Sequence, residues 1–221
     1  MLKNIYIAAL VSIAATTACA QTNSYVRTWE AKVPVSDAST MNTRPVSEVL
    51  QTTGYVDGLG RPLQTVVKQG SLFTKFGTQG DIVSPVVYDA LGREVQKYLP
   101  YVSSATDGAL KNTPLTEQNS FFSTQLSGQG ETYFYSNTDV ENSPLNRPVK
   151  SYPAGNSWVG AARGTTVHYY NNEAADHVKI WKVNSANNYS ITGEYAAGLL
   201  TEIHTADEAG NEVVEYKDKE G

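Results

Sequence analysis

The chain reads as an all-β protein of antiparallel hairpins with one short helix in an insertion. Three observations carry that reading. Tyr, Val and Thr are abundant, with 14 Tyr among 221 residues, and such side chains fit the pleated surface of a strand. Strand-like runs are punctuated by Asp-x-x-Gly. One such unit also occurs twice: "YVDGLGRPLQ" at 55–64 returns as "VYDALGREVQ" at 87–96.

Residues 1–20, "MLKNIYIAALVSIAATTACA", are expected to be a signal peptide. Lys3 precedes an apolar run from Ile5 to Ala15, and Ala18-Cys19-Ala20 has the small-x-small form that a signal peptidase cleaves. The run is too short to span a bilayer, and no later segment is longer. A lipoprotein would instead be tethered through an acylated Cys19, but that needs an aliphatic residue where Thr16 stands. Membrane attachment is therefore expected only if Cys19 is lipidated. Cleavage after Ala20 removes the single cysteine, so burial and sheet hydrogen bonds must hold the fold without disulfides. About 200 residues suffice, because a chain of that size buries roughly 70% of its unfolded surface. Loss of Lys3 takes one of the 17 basic residues and leaves 22 acidic ones, so the net charge moves from −5 to −6. No basic block exists, and no nucleic-acid partner is expected.

Residues 21–47 read as an extended lead-in, ahead of a β-hairpin domain over 48–221. Strands are predicted at 48–56 and 62–69, joined at Asp57-Gly58-Leu59-Gly60. Asp at the first position of a type I turn accepts backbone N–H bonds, and Gly at the fourth supplies positive φ. A type I turn followed by a left-handed residue is a common hairpin connection. The second copy places strands at 82–88 and 93–101 around Asp89-Ala90-Leu91-Gly92. In its return strand Val95, Lys97 and Leu99 alternate with Glu94, Gln96 and Tyr98, which predicts a half-buried strand.

Residues 102–132 form an insertion rich in Ser, Thr, Gly and Asn. Thr113 as N-cap and Pro114 as first helical residue predict a short helix there, anchored on a sheet by Phe121 and Phe122. Further strands are predicted at 132–135, 165–170, 177–183, 189–195 and 199–205. Asp207-Glu208-Ala209-Gly210 and Asp218-Lys219-Glu220-Gly221 repeat the tip, and Asn146-Arg147-Pro148 echoes Gly60-Arg61-Pro62. The spacings are uneven, so the unit is a hairpin former repeated with insertions. A strand ending on its own turn leaves an edge unpaired. The chain is therefore expected to continue past Gly221 in a longer polypeptide.

Tyr88-Asp89-Ala90-Leu91-Gly92-Arg93 fits the core of the Rhs or YD repeat in full. Tyr55-Val56-Asp57-Gly58-Leu59-Gly60-Arg61 departs from it by one residue between Tyr and Asp. With "SPLNRP" and "GNEVVEYKDKEG", most of the stretch 24–221 resembles the uncharacterised domain at the N-terminus of exported Rhs-repeat proteins of Gram-negative bacteria. That resemblance implies a secreted or cell-surface structural module, not an enzyme, contributing to a β-hairpin shell that often encloses a C-terminal toxin or other effector. It implies downstream repeats of the same chain as partners. It also assigns Asp57, Gly60, Arg61, Asp89, Gly92 and Arg93 as structural tip residues, to which the weaker copies add Arg147, Asp207 and Gly210.

Asp57 and Asp89 could pair as acid and base, as in glycoside hydrolases. Turn capping already accounts for each Asp, however, and a Gly three residues later has no catalytic reason. The repeated Arg is expected to lie across a neighbouring strand, on an acid or a Tyr. Gly155 to Gly160 resembles a nucleophile elbow but has its second Gly one residue late. His168, His177 and His204 lack ligand spacing, and Asp207, Glu208 and Glu212 do not match a calcium loop. No catalytic residue, metal or cofactor is expected. The alternative function is an extracellular glycan- or partner-binding surface using exposed Trp29, Trp158 and Trp181, although core packing is the default for aromatics in a β protein.

Overall fold

The structure, a computed structural model, describes residues 24–72, 79–185 and 187–220; the expected signal peptide and Gly221 lie outside them. In chain order the elements are β1 (Ser24–Ala31), β2 (Val49–Val56), β3 (Pro62–Val67), β4 (Ile82–Val87), β5 (Gln96–Tyr98), β6 (Tyr101–Val102) and α1 (Pro114–Gln125). There follow β7 (Tyr135–Val140), β8 (Pro148–Tyr152), β9 (Thr165–Asn171), β10 (Lys179–Val183), β11 (Tyr189–Glu194), β12 (Thr201–Ala206) and β13 (Glu212–Lys217). Eleven strands make one sheet in the order β1-β2-β3-β4-β5-β7-β8-β9-β12-β13, with β6 beside β4; β10 and β11 form a separate ribbon. Among the described residues the fold is all-β and antiparallel with one α-helix.

Several local expectations change. Within the extended lead-in, β1 pairs with β2 from Ser24↔Val56 to Ala31↔Val49, and residues 38–43 make a 3-10 turn capped by Asp37. The return strand predicted at 93–101 is broken. β4 meets β5 at Val86↔Lys97 but β6 at Val83↔Tyr101, a one-residue slip across Leu99-Pro100. Pro100 has no N–H for the ladder. The slip also ends the alternation, so Leu99 is exposed while Tyr101 is buried. The strand expected at 132–135 begins only at Tyr135, because Phe134 is drawn under the helix and stacks on Phe122 at 4.8 Å between centroids. β10 begins at Lys179, after His177 takes a left-handed φ of 51°.

The core lies on one face of the β2–β4 region. Tyr55, Val66, Val83 and Tyr101 are buried together, and Leu110, Phe121 and Phe122 of the insertion cover them. Thr113 precedes the helix and Pro114 opens it, although the Thr113 side chain makes no capping bond. A polar network fixes the insertion to the sheet. Asp81, fully buried, accepts the Lys111 ammonium at 2.9 Å on Oδ2, together with the Gly108 N–H at 2.8 Å. Its Oδ1 accepts the Gln69 N–H at 2.9 Å. Gln64 exchanges two hydrogen bonds with the Lys111 backbone, and the Tyr55 hydroxyl donates to the Gly108 carbonyl at 3.0 Å. Burial alone would depress the Lys111 pKa, but hydrogen bonds to Asp81 and Asp107 outweigh it and hold the ammonium above the usual lysine range.

Candidate functional site

Because neighbouring strands alternate direction, the connections β2–β3, β4–β5, β7–β8 and β9–β12 gather at one end of the sheet. The β12–β13 connection lies at the other end. The first two are built identically. Asp57 N–H donates to the Arg61 carbonyl at 2.9 Å and Gly60 N–H to the Asp57 carbonyl at 3.0 Å; the Asp89 tip repeats both at 2.9 Å. Asp57 Oδ1 accepts the N–H groups of Leu59 and Arg61, and Oδ2 accepts the Arg61 guanidinium at 2.8 Å. Asp89 does the same for Leu91 and Arg93. Gly60 and Gly92 hold φ of 79° and 77°, a region that glycine enters without strain. These hydrogen bonds, first those from the Arg61 and Arg93 backbones, keep both carboxyls below the usual carboxylate range.

The third tip reaches the same shape with other residues. Ser143 accepts the Asn146 N–H at 3.1 Å, and Asn146 stands at φ 52° in place of glycine. Glu141 supplies the carboxylate, taking the Arg147 guanidinium on both oxygens at 2.9 and 2.8 Å. Those bonds, with one from Ser143, lower its pKa to about 2. Two further corners escaped the sequence pattern. In the fourth tip, Asn172 Oδ1 accepts the Leu200 N–H at 2.8 Å and its carbonyl accepts Gly198 N–H at 2.9 Å, with the whole β10–β11 ribbon carried between them. The ribbon itself turns at Asn184-to-Asn188, where Asn184 plays the Asp role and Asn187, at φ 57°, the Gly role. A search for Asx followed by a left-handed Asn or Gly finds the ribbon turn. The Asn172–Gly198 pair has no such local signal.

Successive tips are tied together. Arg61 reaches over the Tyr88 ring at 4.5 Å, and the Tyr88 hydroxyl donates to the Pro62 carbonyl at 3.0 Å. Arg93 donates to Asn146 Oδ1 at 2.7 Å. Arg147 lies 4.2 Å over Tyr169, whose hydroxyl donates to the Pro148 carbonyl at 3.1 Å. A Cβ on Gly92 would come within 2.8 Å of Arg61 Nη1, so this glycine also clears the path of the preceding arginine. The one-residue offset of Tyr55 flips it to the opposite face, and there it enters the core instead of the ladder.

The Asp207 tip has the same backbone hydrogen bonds, with Gly210 at φ 84° and Asn211 standing where the others have Arg. Asp218 accepts the Glu220 N–H at 2.8 Å, while its expected Gly221 lies outside the described residues. Asp57 and Asp89 sit on separate tips, each bound to its own arginine. Glu212 is engaged by His204 instead of a turn: the two ring nitrogens lie 2.6 Å from Glu202 and 2.7 Å from Glu212. These partners, Glu202 first, raise the His204 pKa. His168 lies beside Tyr170, and His177 pairs with Glu194. Among the described residues no group of three or more His, Cys, Asp or Glu is arranged to hold a metal ion.

The three tryptophans occupy separate places. Trp29 lies on the outermost strand β1. Trp158 lies in a π-helical turn, with Arg163 4.5 Å over its ring, beside a cleft of about 260 Å³ that Tyr133 and Phe134 also line. Trp181 stands 62% exposed on the β10–β11 ribbon. Residues 27–171 match the sequence model of a family described as a domain of unknown function, DUF6443. No curated protein and no solved structure matches the chain.

Proposed function

The chain belongs to the DUF6443 family of uncharacterised domains, and on that footing we propose that it is a non-enzymatic structural module. It opens an exported or cell-surface protein of Rhs/YD-repeat type and contributes to a hairpin shell able to enclose a C-terminal effector. The ladder of tips carries this reading. A general acid or base needs an oxygen within reach of a substrate proton. In Asp57 and Asp89 both carboxylate oxygens are taken by the turn and by Arg61 or Arg93. The arginines reach on to the next hairpin, which suits a ribbon assembled one hairpin at a time.

β13 has no strand on its outer side among the described residues, and Asp218 is already set as a turn residue beside it. An unpaired edge of this kind is a template for a further strand. Export is supported by residues 1–20 alone. The test is hydrogen exchange of the β13 amides in this chain and in one extended by the residues encoded after Gly221. Strong added protection is expected in the longer protein. A stop codon at that point, or unchanged exchange, would defeat the reading.

A second reading, a glycan- or partner-binding surface, is supported by the ribbon. Trp181↔Ile191 and Val183↔Tyr189 are register partners, so four exposed apolar side chains share one face. A glycan array probed with the wild type and Trp181→Ala tests it; an array without hits counts against sugar binding.

A further inference from the structure

Neither the tips nor the core accounts for the segment from Gly155 to Gly160. Gly155 stands at φ 116° and leads into a π-helical turn, Asn156–Gly160, a rare form that is frequent at functional sites. Asn156 ties this turn to the end of the insertion. Its Oδ1 accepts the Thr132 N–H at 2.9 Å, its Nδ2 donates to the Gly130 carbonyl at 2.6 Å, and its own N–H donates to Glu131 Oε2 at 2.8 Å. A Cβ on Gly160 would come within 2.9 Å of the Tyr133 ring, so glycine lets that ring lie against the turn. The two segments thereby border the cleft of about 260 Å³ beside Trp158.

The lining has a specific chemistry. Leu99, Tyr133, Phe134 and Trp158 make it apolar and largely aromatic, and Glu131 is its only charged side chain. Glu131 Oε1 accepts no hydrogen bond among the described residues, and no buried side-chain polar atom there lacks a partner, so this oxygen faces water. Arg163 packs over the Trp158 ring at 4.5 Å but does not line the cleft, so it shows that the ring takes a cation without filling the site.

These features select the occupant. An anion would meet the Glu131 carboxylate. A neutral apolar group would strip water from that oxygen and return nothing, which costs free energy. A sugar needs several directional partners, and besides the Trp158 N–H only Glu131, Tyr133 and Ser157 offer polar side-chain groups. A diffuse organic cation satisfies every wall at once: its charge faces the carboxylate and the rings, and its methyl groups face the apolar side chains. The acidic chain, with a net charge of −5, adds a favourable field.

We propose that this cleft is a binding site for a quaternary ammonium group, seated against Trp158, Tyr133 and Phe134 with Glu131 as its counter-ion. The volume suits a single such headgroup, since drug-sized ligands take ~300–1,000 Å³. The site uses no tip residue and no residue of the β10–β11 ribbon, so it goes beyond both functions proposed above and is tested apart from them.

Titration of isotope-labelled protein with choline chloride, followed by NMR at the Trp158 indole N–H and the Gly155 and Gly160 amides, tests this, with sodium chloride at equal concentration as the control. A saturable shift is expected, with dissociation in the millimolar range. Dimethylbutanol, in which carbon replaces the charged nitrogen of choline, is expected to bind about ten-fold more weakly. Glu131→Gln, whose amide oxygen can still accept the Asn156 N–H, should weaken choline several-fold and leave dimethylbutanol unchanged. Trp158→Leu should abolish saturation at the two glycine amides; should that variant unfold, Glu131→Gln keeps the test open. Phosphocholine and trimethyllysine, tested beside choline, tell a phosphate-bearing source from a peptide side chain, and saturable binding of either at these signals also upholds the proposal. Shifts that sodium chloride reproduces, no saturation with any of the three cations, equal affinity for choline and dimethylbutanol, or unchanged choline affinity in Glu131→Gln each overturn it.

Discussion

The guanidinium carbon of Arg61 sits 4.5 Å from the ring centroid of Tyr88, and the Tyr88 hydroxyl donates to the carbonyl of Pro62, the residue that follows that arginine. Two adjacent hairpins are thereby coupled outside their backbone ladder. A cation over an aromatic ring contributes about 0.5–1 kcal/mol at exposed sites, and a neutral hydrogen bond about 1 kcal/mol. Tyr88→Leu should therefore cost about 1–2 kcal/mol in urea denaturation, and Tyr88→Phe only the hydrogen-bond part. Equal midpoints for wild type and Tyr88→Leu would show that the ladder carries no energy.

Lys111 is buried against fully buried Asp81 and half of a closed polar network. Removing one partner of a buried pair strands the other charge and costs about 3–5 kcal/mol. Lys111→Met is expected to fall in that range by chemical denaturation. Asp81→Asn/Lys111→Met should cost less than the sum of the two single changes, because neither charge is then left alone.

Gly60 and Gly92 both stand at left-handed φ, where a β-branched residue is strained. Gly60→Val and Gly92→Val should each lose more than ~1 kcal/mol in thermal melts. Gly92→Val should lose the more, since its side chain also displaces Arg61 from Tyr88. Gly58→Ala, in open space without positive φ, serves as the control and should leave stability nearly unchanged.

Acid weakens the tips. Asp57, Asp89 and Asp207 have pKa values held below normal, and Glu141 falls to about 2. A depressed carboxylate contributes fully above its unfolded pKa of about 4 and loses that contribution as the pH falls through its folded value. Melting temperature should decline steadily from about pH 4 toward pH 2, and Glu141→Gln should flatten part of that decline.

His204 behaves in the opposite sense. Glu202 and Glu212 raise its pKa, so its contribution is complete below about pH 6.5 and disappears as the pH rises through the folded value. Because Glu212 lies on β13 and Glu202 on β12, the loss should appear as faster hydrogen exchange in β13, corrected for the intrinsic pH effect. The His204→Gln variant should show no such step.

Local chemistry was legible and distant chemistry was not. Asp57 to Gly60 and Asp89 to Gly92 announce their turns because an Asx side chain and a left-handed glycine act within five residues. The helix start is visible through Pro114 at its first position, although Thr113 makes no capping bond. The partner of Arg61 is not visible, since it depends on which strand follows β3. Nor is the Asp81–Lys111 pair, whose members meet only after the insertion folds back on the sheet. The run "TYFY" has strong strand propensity at 132–135, but packing of Phe134 on Phe122 overrides it. At Asn172 and Gly198 the two halves of one corner are separated by an entire ribbon, and short-range patterns cannot rejoin them.

That divided corner has a practical use. One amide side chain holds the returning chain at both the Ala196 carbonyl and the Leu200 N–H, so the corner itself makes no use of the ribbon residues between Asn172 and Ala196. A foreign loop grafted between Asn172 and Ala196 in place of the native ribbon is therefore expected to leave the corner closed, which would make the position a port for displaying epitopes.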